Sequence, residues 1–302
     1  MGENFENEEK EIKQNIIRQI IAREWEFFQS VHNTGGRASC QDNYEEFNIM
    51  RSSQLGIFSL PVLRSYLDDL ILAEHRDRNP VMEKYAYMMK YSAPEEYEGI
   101  KEFLPAISEL KREIAEKIIK IYLEWEIEMM EKYPGITNKG RKLYSESDTP
   151  EYTSIETYLR GELLSYSEKT LQLYYDYIKN CKIENKNLAE KNLENIVKHK
   201  GYKSLEEAEK VYKKFGERYG TVGKFENQLY PNIIDLLDKV KNEHYTVALA
   251  TAKPEHYAKD ILDHFELTPY FDVIVGANYE SGLLHKKEIL EKALELCGHP
   301  LT

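Results

Sequence analysis

Cysteine is scarce in this chain: three residues, Cys40, Cys181 and Cys297, among 302. That number and spacing exclude a disulfide framework and any thiolate cluster for zinc or iron–sulfur. Long apolar runs are missing too, since nothing approaches the ~20 residues that a membrane-spanning helix needs. The opening segment, Met1 to Asn15, is acidic and polar rather than signal-like, so a reducing cytoplasm is the expected compartment. Positive charge is outnumbered, 41 Lys and Arg against 53 Asp and Glu, for a net charge of −12. An electrostatic grip on nucleic acid or on an anionic membrane is therefore not expected. Tryptophan occurs twice but tyrosine 23 times, a bias shared with Lys, Glu, Ile and Asn that an AT-rich coding sequence explains. What remains, 41% hydrophobic and 31% charged residues, is enough to bury a core. At roughly 150 residues per domain, the length implies about two domains.

The first two thirds read as helix. Ile12, Ile16, Ile17, Ile20, Ile21, Trp25 and Phe28 recur at helical spacing and form one stripe, which stops at the breaker His32-Asn33-Thr34-Gly35-Gly36. Leu60, Leu63, Leu67, Leu70 and Ile71 predict a second helix, with Pro61 tolerated in its first turn. Ile107, Leu110, Ile114, Ile118, Ile121, Trp125 and Met129 predict a third, ended by Pro134-Gly135. After a polar loop, Thr153-Ser154-Ile155-Glu156 resembles a capping sequence, and one fourth helix is expected to run from there through Leu159, Leu163, Leu171, Tyr174 and Tyr177.

The last third changes character. Ile233 to Leu237 reads as helix, and Val247-Ala248-Leu249-Ala250 as a short buried parallel strand ending at Thr251. Pro254 opens a further helix to Phe265, Phe271 to Gly276 is a second strand, and Lys286 to Leu296 a final helix. This alternation is the grammar of a doubly wound α/β unit. Ligands of open α/β sheets sit at the carboxyl ends of strands. A hydroxyl there, beside the free N–H groups of a new helix, suits a phosphate. On physical grounds alone two readings stay open: Thr251 and Lys286 hold an anion, or Thr251 caps a helix and Lys286 is a solvated charge.

Tyr230-Pro231-Asn232-Ile233, Leu249-Ala250-Thr251-Ala252-Lys253-Pro254, His264-Phe265-Glu266-Leu267, Tyr270 to Gly276 and His285-Lys286-Lys287-Glu288-Ile289 together resemble the haloacid-dehalogenase-type phosphatases, in particular the phosphoglycolate-phosphatase and 5′-nucleotidase-like group. The resemblance implies a Rossmann-like parallel sheet and hydrolysis of a small phosphate monoester with Mg²⁺ through an aspartyl-phosphate. It implies that Thr251 holds the transferring phosphoryl group and that Lys286, with Lys287 as the alternative, balances its charge. The family's Asp-x-Asp, which supplies nucleophile, general acid–base and metal ligands, occurs nowhere in the sequence, because Asp68-Asp69 is adjacent and far upstream. The family's fourth, acidic motif would fall beyond Thr302, as expected of a truncated or frameshifted chain. The Mg²⁺ ligands are thus missing from this sequence, and metal-binding residues are expected to be none.

In the helical part, polar residues concentrate in Arg23-Glu24-Trp25-Glu26, in Asn33 to Gln41 and in Met50-Arg51-Ser52-Ser53-Gln54. Gly35, Gly36 and Arg37, with Arg51 and Gln54, form a candidate anion site built on backbone N–H groups and guanidinium. No Gly-Lys-Ser/Thr follows, so this is not a Walker loop. Cys40 with His32 suggests a nucleophile pair, although a plain structural cysteine accounts for it as well. Arg160 and Glu162 suit either a site or an inter-helix ion pair. Trp25, Asn33 to Gln41, Ser65 to Leu70, Glu83-Lys84-Tyr85-Ala86 and Thr157 to Leu163 resemble a bacterial domain-of-unknown-function family, number 4125, which brings no activity with it.

The expectation is a mainly α-helical domain over 1–205 followed by a partial α/β segment over 206–302. Functionally, the sequence suggests a phosphatase-lineage protein without turnover as this isolated chain, or else a non-enzymatic module that binds a small anion or a protein. A small phosphorylated molecule is the expected ligand. An uncovered edge on the strand near Val247 would favour self-association.

Overall fold

The computed structural model describes residues 2–32, 36–137, 140–150, 152–278, 283 and 286–299, with backbone alone for 2–6. The chain divides into two compact units, Met1–Tyr212 and Lys213–Thr302. The first is all-helical: α1 (Gly2–Gln29), α2 (Tyr44–Gly56), α3 (Leu60–His75), α4 (Pro80–Ser92), α5 (Pro94–Ile100), α6 (Glu109–Lys132), α7 (Pro134–Thr137), α8 (Ile155–Ser165), α9 (Glu168–Ile183), α10 (Leu188–His199) and the start of α11 (Leu205–Thr221). The division falls within α11, whose remainder belongs to the second unit. There follow α12 (Ile233–Asn242), β1 (Ala248–Pro254), α13 (Glu255–His264), β2 (Val273–Ala277) and α14 (Lys286–Leu296).

The expected stripes supply much of the first core. Ile16, Ile20, Ile21 and Phe28 of α1 are buried, as are Leu63 and Leu70 of α3 and Ile114, Ile118, Trp125 and Met129 of α6. Three details differ from the periodicity. Ser108 caps α6 through Lys111 N–H (3.1 Å), so Ile107 precedes the helix and Leu110 stays exposed. Pro134 opens the short α7 rather than only ending α6, because a proline suits a first helical turn. The single fourth helix is two. Ser154 caps α8 as the capping sequence suggests (Thr157 N–H to Ser154 Oγ, 3.1 Å), but Ser167 caps a fresh helix, α9, through Thr170 N–H (3.2 Å). Between them Tyr166 is extended and buried. A side-chain oxygen that satisfies an otherwise orphaned helical N–H favours such a restart.

Helices α4 and α8 lie close because Gly161 has no side chain. A Cβ there would come within 2.5 Å of Met88 Cγ and 2.7 Å of the Lys84 carbonyl oxygen.

In the second unit β1 and β2 pair in parallel, Ala248 opposite Val273 through Thr251 opposite Gly276. Among the described residues they form a two-stranded sheet. Asp272 fixes the start of the pairing: its N–H donates to Val247 O, and its carboxylate accepts from Val247 N–H and Lys241 Nζ, at 2.8, 2.8 and 2.7 Å. The register slips between Thr251 and Pro254, so that Pro254 faces Ala277. The strand is parallel as expected, but it is not buried as expected. Ala248, Ala250 and Ala252 are exposed, and Leu249, Thr251 and Lys253 are half-buried. β2 pairs with one edge of β1 while α13 and α14 pack on the sheet, and alternate side chains of a strand point to opposite faces.

Candidate functional site

The carboxyl end of β1 gathers the second unit's chemistry. Thr251 is the last residue in regular register, and the slip that follows delivers the chain through Pro254 into α13. Thr251 does not cap α13; its Oγ1 accepts from the backbone N–H of Lys253 at 3.2 Å. Opposite it, Gly276 is required by space: a Cβ would meet Glu255 Cα at 2.5 Å and Lys253 O at 2.7 Å. Absence of a side chain lets β2 run directly against the first residue of α13. Glu255 spans this junction. One carboxylate oxygen accepts from Lys259 Nζ (2.7 Å), the other from Gly276 N–H (3.3 Å).

Lys286 is exposed in the first turn of α14, a helix that packs on both strands. Among the described residues no hydrogen bond joins it to Thr251. His285 lies outside the described residues; Lys287 is exposed and 4.0 Å from Glu291.

Mg²⁺ is suggested in general by a haloacid dehalogenase-like character. Among the described residues, no three His, Cys, Asp or Glu side chains converge to hold a metal ion. The acid at this strand end, Glu255, is committed to Lys259 and Gly276. Among the described residues this donor set does not fit a Mg²⁺ site.

The first unit holds a different polar centre. Arg51 of α2 reaches Glu24 of α1 with two bonds (Nε to Oε2, 2.7 Å; Nη2 to Oε1, 2.5 Å) and Glu162 of α8 with a third (3.0 Å). Gln54 accepts from Arg51 at 2.6 Å and donates to Glu162 at 3.0 Å. Lys84 of α4 binds the other Glu162 oxygen at 2.8 Å. The hydroxyls of Tyr66 and Tyr166 donate to Glu24 and Glu162 at 2.6 and 2.8 Å. All four charged side chains are at most 10% exposed. Two carboxylates against two cations leave no net charge, which is what allows burial. Burial alone would push the Glu162 carboxyl up, but Arg51 and Lys84 hold it far below the ordinary carboxylate range. Burial would likewise lower Lys84, and Glu162 reverses that.

The structure therefore brings Arg51 and Gln54 together, but around protein carboxylates. Arg37 is elsewhere engaged: it donates to Gln29 Oε1 (2.5 Å), the Gln41 carbonyl (2.9 Å) and Asp42 (2.8 Å), with about half its side chain exposed (48%). Gly36 has the positive φ, +87°, that favours glycine. Gly35 lies outside the described residues. Cys40 and His32 are both exposed, with no bond between them among the described residues. Arg160 pairs with Glu116 of α6 (2.8 and 3.0 Å) and with Glu156 of its own helix (2.7 Å), whereas Glu162 pairs with Arg51 and Lys84, so each makes inter-helix ion pairs with separate partners. Sequence reasoning placed Glu24 in a polar stretch but gave it no role, and it missed Lys84, Tyr66 and Tyr166 as members of a site. A signal existed for Glu24 and Lys84. Glu24 falls between Ile20 and Phe28 on the stripe of α1, and Lys84 between Pro80 and Met88 on the buried face of α4. A charge on an apolar stripe needs a buried partner.

Comparison with known proteins gives two regions. A family model described as "Protein of unknown function (DUF4125)" matches residues 14–210, and one described as "Haloacid dehalogenase-like hydrolase" matches 162–299. A 5′-nucleotidase of Pseudomonas aeruginosa is 30% identical over 84 residues, 28% of this chain and 38% of that protein. A phosphoglycolate phosphatase of Aliivibrio fischeri is 33% identical over 52 residues, 17% of this chain and 23% of that protein. The tyrosine-protein kinase PtkA of Mycobacterium tuberculosis is 33% identical over 89 residues, 30% of this chain and 31% of that protein. This chain thus spans well under half the length of these relatives. No solved structure matches it. Both resemblances drawn from the residues are borne out, and the hydrolase match reaches upstream into α8. With the first match covering most of its length, the chain belongs to DUF4125, a family of proteins of unknown function, and carries a haloacid dehalogenase-like C-terminal part.

Proposed function

We propose that the C-terminal part binds the phosphoryl group of a small phosphorylated molecule at the carboxyl end of β1, and that this chain by itself does not turn it over. The observation that carries the reading is the placement of Thr251: the last residue in regular register of a parallel strand, shortly before the N-terminus of α13 and opposed by a glycine. Its hydroxyl is bonded to backbone rather than to another side chain, and so is free to reorient toward an anion. The N–H groups that open a helix carry partial positive charge, and Lys286 supplies the counter-charge in this reading. The sequence contains no Asp-x-Asp to supply a nucleophile, and covalent catalysis needs one. The functional boundary we propose runs between 205 and 206, and the end of α11 packs within this unit, where Tyr219 meets Tyr257 of α13 edge-on at 5.6 Å.

Amide shifts on titrating inorganic phosphate into the full chain test the reading. Thr251 and Gly276 are expected to move, and Thr251→Ala to abolish the response. Mg²⁺-dependent release from p-nitrophenyl phosphate should stay at background. Turnover that disappears in Thr251→Ala would overturn the inactive reading, and shifts confined to other residues would overturn the site.

In the helical part, Arg51 and Gln54 take a structural role in this proposal, because Glu24 and Glu162 already satisfy them. Among the described residues β1 pairs on one edge only, with β2, which supports self-association through its other edge; sedimentation over a concentration series would detect it.

A further inference from the structure

One cation at this end of β1 has no part in the reading above. Lys253 sits where the register slips, two residues after Thr251, and its backbone N–H is the one that Thr251 Oγ1 accepts. Two neighbouring lysines have acidic partners: Lys224 pairs with Asp260 and Lys259 with Glu255. Lys253 does not; among the described residues its ammonium donates to the hydroxyl of Tyr219 and lies 5.0 Å from the centre of that ring. A phenol orients an ammonium without cancelling its charge.

Tyr219 is itself held in place. It stacks on Phe215 (5.9 Å, 22°) and meets Tyr257 edge-on (5.6 Å, 74°). Gly220 next to it makes room for the Tyr257 hydroxyl, which a Cβ would approach to 2.9 Å. The result is a half-buried, uncompensated positive charge, fixed by a neutral partner and tied by its own backbone to the hydroxyl proposed to bind phosphate.

We infer that Lys253, positioned by Tyr219, forms a second anion subsite beside Thr251, which selects phosphorylated molecules that carry a further acidic group. This rests on the reading of Thr251 as a phosphate ligand. A carboxylate reaching Lys253 replaces a neutral phenol with a charge-assisted bond, the stronger of the two. A ligand with a phosphoryl group alone gains nothing there.

Two probes separate the subsites: methylphosphonate, with one acidic group, and phosphonoacetate, which adds a carboxylate. Calorimetric titration of the full chain should show phosphonoacetate binding about tenfold more tightly. Lys253→Gln should reduce that preference to about twofold or less while leaving methylphosphonate affinity within about twofold. Lys253→Arg should keep the preference. Tyr219→Phe, which retains the ring, should weaken the preference without shifting the melting temperature or methylphosphonate binding. A purely structural role for Tyr219 would move those two instead. If methylphosphonate binds but Lys253→Gln leaves the preference unchanged, the subsite is wrong and the Thr251 reading stands. If neither probe binds the wild-type chain, both fall together.

Discussion

The two units hold themselves together by different means. The helical unit has one continuous core, from Ile20 and Leu63 through Ile118 and Trp125 to Leu171, Ile178 and Leu205, and a neutral ion network within it. The C-terminal unit has two small clusters, Val275 with Ala277, Ile289 and Ala293, and Leu237 with Leu262 and Leu267. Stabilisation follows apolar area removed from water. The comparison teaches that the unit proposed to bind phosphate is the less secure one. Its ligand end depends on a hydroxyl, a register slip and a glycine contact rather than on bulk.

The sharpest way to break this contrast is to attack the helical unit where it is most committed. Arg51→Met strands Glu24 and Glu162 without their shared cation, and should cost about 3–5 kcal/mol in denaturant unfolding at pH 7. The same network sets a pH limit. Glu162 is held below its unfolded value, so its contribution is complete above that unfolded value, about 4.3. It is lost as pH falls further toward the folded value. Unfolding midpoints flat from pH 7 down to pH 3 would contradict this.

The next effect is kinetic and local. Amides of 248–250 in β1 should exchange about 100-fold or more faster than those of Ile114 to Trp125 in α6. Equal protection in a dilute monomer would mean that a further segment pairs with the open edge of β1.

The smallest effect sharpens the comparison from the other side. Glu126 in α6 is pushed up to about 7 by burial alone. Its charged form is therefore disfavoured in the fold, and stability should decline as pH rises from about 4.3 to about 7. Glu126→Gln should be equal to wild type at pH 4 and more stable at pH 8, by less than the roughly 3–4 kcal/mol that a fully expressed rise from about 4.3 to about 7 carries, because Glu126 is only half-buried.

Legibility in the sequence followed the range of the interactions. Stripes on α1, α3 and α6 and the Ser154 cap are local, and they located helices well. The strand pair and α14 were legible because a short apolar run, a proline and a glycine punctuate each other. The restart at Ser167 was hidden because Leu159 to Tyr177 keeps helical spacing across it. The ion network was hidden for a different reason: Arg51 and Glu162 lie 111 positions apart, and nothing local joins the two stretches that hold them. The register slip after Thr251 has no compositional mark at all. It follows from the space that Gly276 leaves at the start of α13.

The network around Arg51 has one more consequence. Its members come from α1, α2, α3, α4 and α8, and each charge is balanced by charges on other helices. None of the four that carry its charges can leave alone without leaving an uncompensated ion in a dry interior, and loss of α3 would strip Glu24 of the Tyr66 hydroxyl. Partial opening is thereby penalised beyond its lost packing, which couples the five helices into one cooperative block. Proteases and exchange measurements should find α1 from Ile16 onward, α2, α3, α4 and α8 opening with a common free energy, even though their intrinsic helix propensities differ.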